Sequence, residues 1–166
     1  EAQAPPAEVP EAVDESLPEP GHEPAGEPLR DEWTARTRTF DTESAGLRLT
    51  QVYPGRVNFL DDGVWTEIDT NLVEGGDLGL ETAANSLGVT VAEDSSEGTL
   101  AAVELPGGAG VSFGLEDSET SPVEVDGAIA SFDDVQPGVD LELEATPAGL
   151  KETIILDSPS APRSYS

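Results

Sequence analysis

The stretch that decides the fold covers residues 131–156 and reads SFDDVQPGVDLELEATPAGLKETIIL. Its first half alternates apolar and acidic residues, which is the period of a strand with one buried face and one wet face. The alternating residues are Val139, Leu141, Leu143 and Ala145 against Asp140, Glu142 and Glu144. Pro147 and Gly149 then mark a short turn. A second run places Leu150, Ile154 and Leu156 on one face, so the stretch predicts an antiparallel hairpin.

Similar short runs, separated by turn residues, extend toward the N-terminus from this hairpin. They cover residues 47–53, 57–60, 64–72, 87–92, 99–105, 111–115, 123–125 and 128–132. Asp62-Gly63 and Asp126-Gly127 are dipeptides that favour tight hairpin turns. Only residues 77–86 (DLGLETAANS) have mild helical propensity. Strands recurring roughly every ten residues are typical of a sandwich or barrel, so we predict an all-β, antiparallel β-sandwich-like domain over residues 30–166.

Residues 1–29 differ in composition from the rest of the chain. They hold 7 of the 14 prolines and eight acidic residues, with no basic residue. Such a segment buries too little apolar surface to offset the entropy of ordering its backbone. We predict a disordered acidic Pro-rich arm whose amides exchange near the unprotected limit. Its alternative role, a proline-rich docking ligand, lacks the basic or aromatic anchors that such ligands use.

The overall charge narrows the classes of partner. A formal net charge of -28 over 166 residues argues against binding to nucleic acid or an anionic membrane surface, because both need clustered Lys and Arg. No stretch approaches the ~20 apolar residues that span a bilayer, so no membrane insertion is predicted. No signal-peptide pattern opens the chain. The absence of Cys removes disulfides and thiolate chemistry.

The residues that could carry chemistry give weak signals. Paired carboxylates such as Asp133-Asp134, or Asp69 with Asp140, have no spacing that singles out an acid–base pair. The single histidine, His22, lies in the predicted arm, so no Ser-His-Asp relay and no His-based metal site is predicted. Acidic strand ends could bind Ca²⁺, but the chain has no EF-hand loop. Turn formation by Asp explains these positions better, so we predict no catalytic residue, metal or cofactor.

Three aromatic residues, Phe59, Trp65 and Phe113, could form a platform for a sugar ring. The alternative is that they belong to the core, because a domain with few aromatic residues needs them inside. We predict that Trp65 is a core residue. Trp33 and Phe40 precede the strands, and Trp33 either docks on the domain or belongs to a flexible connection.

Several short motifs occur in a fixed order along the chain. They are residues 57–59 (VNF), 63–70 (GVWTEIDT), 84–86 (ANS), 132–141 (FDDVQPGVDL) and 149–152 (GLKE). In this order, residues 36–166 resemble the N-terminal region of large secreted RHS/YD-repeat proteins of actinobacteria, relatives of wall-associated and polymorphic-toxin proteins. The resemblance implies an exported β-domain, secreted or cell-wall associated, that precedes a YD-repeat shell and a variable effector. It implies no catalytic residue here, and no YD repeat occurs in the chain.

We assign structural roles to the motif residues, which are Trp65, Ile68, Asp69, Asn85, Pro137, Gly138, Asp140, Gly149, Lys151 and Glu152. Trp65 and Ile68 fall on opposite faces of a regular strand, so burying both requires a bulge or two-sided burial. Asp69 and Asp140 are expected to accept backbone hydrogen bonds at strand ends. Gly138 and Gly149 are expected to take positive φ in turns. Lys151 is expected to pair with Glu142 or Glu144 across the hairpin.

Two functions remain open from the sequence. The first is a non-catalytic structural or interaction module of an exported RHS-type protein. The second is a carbohydrate-binding module that tethers such a protein to cell-wall glycan. After Leu156, the final residues RSYS read as the start of another strand. We therefore expect the domain to be incomplete at its C-terminal end and to be covered by strand addition from a downstream segment of the same longer protein.

Overall fold

The computed structural model describes residues 26–42, 44, 46–159 and 161, so residues 1–25 of the predicted arm lie outside it. Strands make up 56% of the described residues and helix 2%, and the sheets are antiparallel, which confirms the all-β, antiparallel prediction. It begins with a 3-10 turn over Arg30–Glu32. The strands are β1 (Thr37–Asp41), β2 (Arg48–Val52), β3 (Asn58–Asp61), β4 (Val64–Glu67), β5 (Asp69–Glu74), β6 (Gly79–Ala84), β7 (Gly88–Ala92), β8 (Ala101–Glu104), β9 (Gly110–Phe113), β10 (Glu124–Asp126), β11 (Ile129–Gln136), β12 (Val139–Thr146) and β13 (Gly149–Leu156).

Two sheets share one hydrophobic core, as expected for a β-sandwich. The first, sheet A, has five strands in the order β5-β6-β7-β8-β9, and the second, sheet B, has four in the order β10-β11-β12-β13. Leu72, Leu80, Val89, Val91 and Leu100 from sheet A and its loops pack in the same cluster as Phe132, Val135, Val139, Leu141 and Leu143 from sheet B. Every pairing within these sheets is antiparallel and joins strands that are consecutive in the chain.

The tight turns follow the local sequence. In the β3–β4 hairpin, Asp62 and Gly63 both have positive φ, at 47° and 84°, which defines a type I′ turn. Pro137-Gly138 joins β11 to β12, with Gly138 at φ 72°, and Gly149 takes φ 148° after the Pro147 turn. The expectations for Gly138 and Gly149 are therefore confirmed. In each turn, a residue that tolerates left-handed backbone stands where the turn requires one.

Residues 26–68 form a separate N-terminal unit around Trp33, whose side chain is 2% exposed. The Trp33 indole N–H donates to the carbonyl of Thr39 (2.9 Å), and the Phe40 ring lies 6.0 Å away. The guanidinium groups of Arg30 and Arg38 lie 5.1 and 5.5 Å from the indole ring. Trp33 is therefore the packed centre of this unit and not part of a flexible connection, and it is held by apolar packing, a hydrogen bond and cation–π contacts.

The domain begins earlier than the boundary at residue 30 that composition suggests. The amide of Leu29 donates to Thr39 (2.8 Å), and the amide of Asp41 donates to Glu27 (2.9 Å). Both bonds attach residues 27–29 to β1. Low hydrophobicity alone did not indicate this, because the attachment is made by backbone groups.

At one place the strand assignment is wrong, and at another a weak local propensity is overridden. Residues 79–84, in the stretch with mild helical propensity, form β6, which pairs with β5 on one side and β7 on the other. Residues 64–72 are not one strand, because β4 ends at Glu67 and β5 begins at Asp69. Ile68 lies at the break, and its amide donates to the carbonyl of Val57 (2.9 Å). Trp65 and Ile68 therefore do not belong to one regular strand, and neither a bulge between them nor burial on both faces is needed.

Candidate functional site

The motif residues lie in several parts of the sandwich and do not converge on one cleft. Trp65, Ile68 and Asp69 surround the junction of β4 and β5. Pro137, Gly138 and Asp140 belong to the β11–β12 turn, while Gly149, Lys151 and Glu152 begin β13. Asn85 lies beyond β6, where its amide nitrogen donates to the carbonyl of Thr146 (3.2 Å). That bond ties the tip of the β6–β7 hairpin in sheet A to the end of β12 in sheet B.

The motif FDDVQPGVD builds an irregularity into sheet B. The β11–β12 register shifts between Phe132 and Gln136, and Asp134 takes φ 50° there. Because of this bulge, both Phe132 and Val135 are buried although they are three residues apart. The carboxylate of Asp140 accepts the amide of Asp134 (2.8 Å) across the turn. The expected role of Asp140, accepting a backbone hydrogen bond, is confirmed.

Other acidic residues also bond to nearby backbone. Asp69 Oδ1 accepts the amide of Asn71 (3.0 Å), as expected for this residue. Asp94 Oδ1 accepts the hydroxyl and the amide of Ser96 (2.6 and 2.8 Å), and these two bonds lower the pKa of the Asp94 carboxyl. Within the described ranges, no group of three or more Asp, Glu or His side chains is arranged to hold a metal ion. Asp69, Asp94 and Asp140 thus act as turn formers.

We therefore expect that calcium does not contribute to folding. Carboxylates that already accept hydrogen bonds from their own turns gain little from binding a cation. If Ca²⁺ did bind the folded state alone, the stability of that state would rise with the Ca²⁺ concentration. The melting temperature should change by less than about 1 °C between excess EDTA and millimolar Ca²⁺. A clear loss of stability in EDTA that Ca²⁺ restores would contradict this expectation.

Lys151 forms the cross-strand ion pair that the sequence predicts. Its Nζ lies 2.8 Å from Oε2 of Glu144, the residue opposite it in the β12–β13 register. The hydrogen bond to Glu144, then the charges of Glu144 and Glu142, raise the pKa of Lys151. Because the pair is exposed to solvent, its contribution to stability is small, and its main effect is to favour the observed register between β12 and β13.

The pH dependence of this pair has a definite sign. Because the pKa of Lys151 is higher in the folded than in the unfolded chain, its ion pair stabilises the folded state at pH values below the unfolded-state pKa of about 10.4. This contribution is lost as the pH rises through the folded-state pKa. Glu144→Gln should therefore lower the urea midpoint at pH 8, and the difference from the parent should shrink above pH ~11. A difference that stays constant from pH 8 to pH ~11.5 would show that the ion pair is not its cause.

The aromatic residues do not form a common platform. In the β3–β4 hairpin, Trp65 pairs with Leu60 and Phe59 with Thr66, so Trp65 and Phe59 lie on opposite faces. Phe113 packs against the core instead. Trp65 is half-buried and is not part of the core. The prediction of a core Trp65 is wrong, because the buried tryptophan of the N-terminal unit is Trp33.

A groove of about 380 Å³ separates the Phe59 face of this hairpin from sheet A. Pairing of β6 with β7 ends at Glu81–Thr90, and the two strands diverge beyond that point. The groove is lined there by Thr82, Asn85 and Gly88, and on the hairpin side by Phe59, Asp61 and Thr66. Beside Asn85, the hydroxyl of Ser86 is buried without a hydrogen-bond partner, which is uncommon for a buried polar group.

The outer side of β13, called here the β13 edge (residues 149–156), is the longest exposed apolar edge of the sandwich. β13 is the last strand of sheet B, and its outer side has no partner strand in the described part of the chain. Ile154, Ile155 and Leu156 are 39%, 38% and 48% exposed. Natural proteins usually shorten, charge or cover such an edge, because it is a template for another strand.

Sequence reasoning missed how exposed this strand is. Ile154 and Leu156 lie on the core-facing side of sheet B, opposite the buried Leu141 and Val139. A pattern of alternating apolar residues indicates which face points inward, but it does not reveal whether the opposite sheet reaches far enough to cover it.

Comparison with protein-family models, curated proteins and solved structures found no match to this chain. Among the described residues, no helix is long and apolar enough to cross a bilayer.

Proposed function

We propose that this chain is a non-catalytic interaction module of an exported protein of the RHS/YD-repeat, toxin-like type, secreted or cell-wall associated. The observation that carries the proposal is the β13 edge, an eight-residue strand with three exposed aliphatic side chains. The resembling motifs support it, since GLKE begins this strand and FDDVQPGVDL shapes the two preceding strands of the same sheet, β11 and β12. The partner in this proposal is a downstream segment of the same longer protein.

The described part of the motif acts as scaffold. Asp69 and Asp140 accept backbone amides, Asn85 joins the two sheets, and Lys151 pairs with Glu144. Side chains engaged in this way hold strands and turns in place. A module whose characteristic residues build the frame presents a surface to a partner more readily than it performs a reaction.

The test compares this chain with the same chain extended by its natural downstream reading frame. The proposal expects YD repeats in that frame and a higher melting temperature of the extended protein, with new amide protection along β13. Export should be visible as accumulation of the full-length protein in the medium or wall fraction. A downstream frame without YD repeats, whose addition leaves β13 unprotected, would refute the proposal.

A second candidate function is carbohydrate binding, and the groove beside Phe59 favours it. An aromatic ring flanked by carboxylate, amide and hydroxyl groups is a chemistry that binds neutral sugars, and the groove has the size of a small-ligand site. The carboxylates of Asp61 and Glu81, with no basic residue in the groove lining, select against anionic glycans.

Cell-wall pull-down with matched variants tests this second candidate. Phe59→Ala should abolish saturable binding, whereas Trp65→Ala, on the opposite face of the same hairpin, should retain it. Both proteins must keep the parent's circular dichroism spectrum. Equal loss in both variants, or no binding by the parent, would exclude the groove as a glycan site.

A further inference from the structure

The free backbone groups of the β13 edge belong to a defined set of residues. At the end of the β12–β13 ladder, the amide of Asp157 donates to Gly138 (3.1 Å). Hydrogen-bonded and non-bonded pairs alternate along an antiparallel ladder. Since Val139 pairs with Leu156 in this register, the odd-numbered residues of β13 bond to β12. The N–H and C=O groups that point outward are those of Leu150, Glu152, Ile154 and Leu156.

The side chains along this edge form a pattern that an added strand would have to match. Ile154, Ile155 and Leu156 are exposed and successive, so they present apolar surface on both faces of the sheet. Glu152 is exposed and lies on the core-facing side next to Ile154. On the outer face, Lys151 is already neutralised by Glu144. The unpaired charge on the edge is therefore the Glu152 carboxylate.

The surrounding charge favours a basic partner and opposes a second copy of this chain. The sequence contains no Lys or Arg between Arg56 and Lys151, and the whole chain carries a net charge of -28. Two such acidic edges would repel each other, and like charges oppose association. A strand that carries Lys or Arg would instead be attracted by the net negative charge of the chain as it approaches. Once bound, its basic side chain would pair with the Glu152 carboxylate directly opposite.

We propose that the β13 edge binds an extended segment with three successive apolar residues opposite Leu156, Ile155 and Ile154 and a Lys or Arg opposite Glu152. The segment adds a fifth strand to sheet B and covers the exposed side chains of Ile154, Ile155 and Leu156. Main-chain hydrogen bonds hold the added strand, and its side-chain pattern sets the specificity. This inference rests on the proposed interaction function and names the chemistry of its partner.

The probe is a blocked peptide with three successive valines followed by threonine and lysine, added to the full chain. Its matched control carries glutamate in place of lysine. Residue-resolved hydrogen exchange should show new protection at the amides of Glu152, Ile154 and Leu156. The amides of Lys151, Thr153 and Ile155, which already bond to β12, should be protected before and after addition. The glutamate peptide should bind about two- to fivefold more weakly.

Variants of the chain separate this edge from other exposed strands. Glu152→Lys, a change at an exposed position, should reverse the preference between the two peptides. Val111→Lys on β9, the edge of sheet A, should leave both affinities unchanged. No protection at the three outward amides, protection at β9 instead, or an unchanged preference in Glu152→Lys would overturn the proposal. Concentration-dependent protection of these amides without peptide would also overturn it, because the occupant would then be a second copy.

The outcomes distinguish this inference from the function on which it rests. If the lysine peptide protects the outward amides and the downstream extension does not, the edge chemistry stands and the proposed partner is wrong. If the extension stabilises the chain without protecting those amides, the interaction function stands and the β13 edge is not its site.

Discussion

Replacing Trp33 with alanine is expected to unfold the N-terminal unit, at a cost of about 3–5 kcal/mol. The indole is almost fully buried, packs against Phe40 and donates to the Thr39 carbonyl. Its removal leaves a cavity and takes one of two hydrogen bonds from the Thr39 carbonyl. It also removes the aromatic partner of Arg30 and one of the two aromatic partners of Arg38. These losses act on residues that all belong to the same small unit.

The effect should be local, because Trp33 is not part of the core between sheets A and B. In Trp33→Ala, residue-resolved hydrogen exchange should show lost protection across β1–β4 and retained protection in β11 and β12. Trp65→Ala is the matched control: it removes the same side chain from a half-buried position, so the loss should be clearly smaller. Equal destabilisation by the two variants would show that the N-terminal unit is not organised around Trp33.

Phe132→Ala is expected to destabilise both sheets together, again by about 3–5 kcal/mol. Phe132 is fully buried and lies opposite Leu141 in the β11–β12 ladder, within the cluster that both sheets share. Loss of its ring opens a cavity at the face between the sheets. The denaturation midpoint should therefore fall for probes on either sheet by the same amount.

The control for this prediction is Phe113→Ala, which truncates a partly buried ring at the edge of sheet A. Its cost should be smaller, because a partly exposed site leaves a smaller dry cavity and can relax. If Phe132→Ala lowers the stability of β10–β13 while β5–β9 keeps its own midpoint, the two sheets fold independently and the shared core is not what joins them.

Turn chemistry made much of the fold predictable. Asp62-Gly63, Pro137-Gly138 and the Pro147 turn impose local geometry that few other arrangements satisfy. The alternation at residues 139–145 then fixed which face of β12 is buried, since a shift of one residue would expose the whole apolar set. Both signals are contained within a few residues of the chain, which is why sequence alone reveals them.

The sequence was less informative where distant residues decide the structure. Residues 79–84 contain Leu, Glu and Ala, which favour a helix in isolation, but pairing with β5 and β7 outweighs that preference. Asn58 was not singled out, although it is fully buried. Its side chain contacts Arg38 and the carbonyls of Thr34 and Thr37, about twenty residues earlier. No local pattern indicates such partners.

The candidate sites were predictable only in part. The Lys151–Glu144 pair follows from hairpin register, which the turn sets. The groove beside Phe59 depends on where β6 and β7 diverge, and the β13 edge depends on how far sheet A extends. These are properties of how sheets meet, and they are not encoded in any one strand.

The order of strands in both sheets has a consequence for the rate of folding. Because each strand within sheets A and B pairs with the next one in the chain, each ladder closes only a short loop when it forms. Sandwiches with crossing connections must bring distant segments together first, and their folding is slow for that reason. We therefore expect the docking of sheet A on sheet B to be the late and entropically expensive event in folding. The transition state for folding should therefore contain complete hairpins whose shared apolar faces have only begun to exclude water.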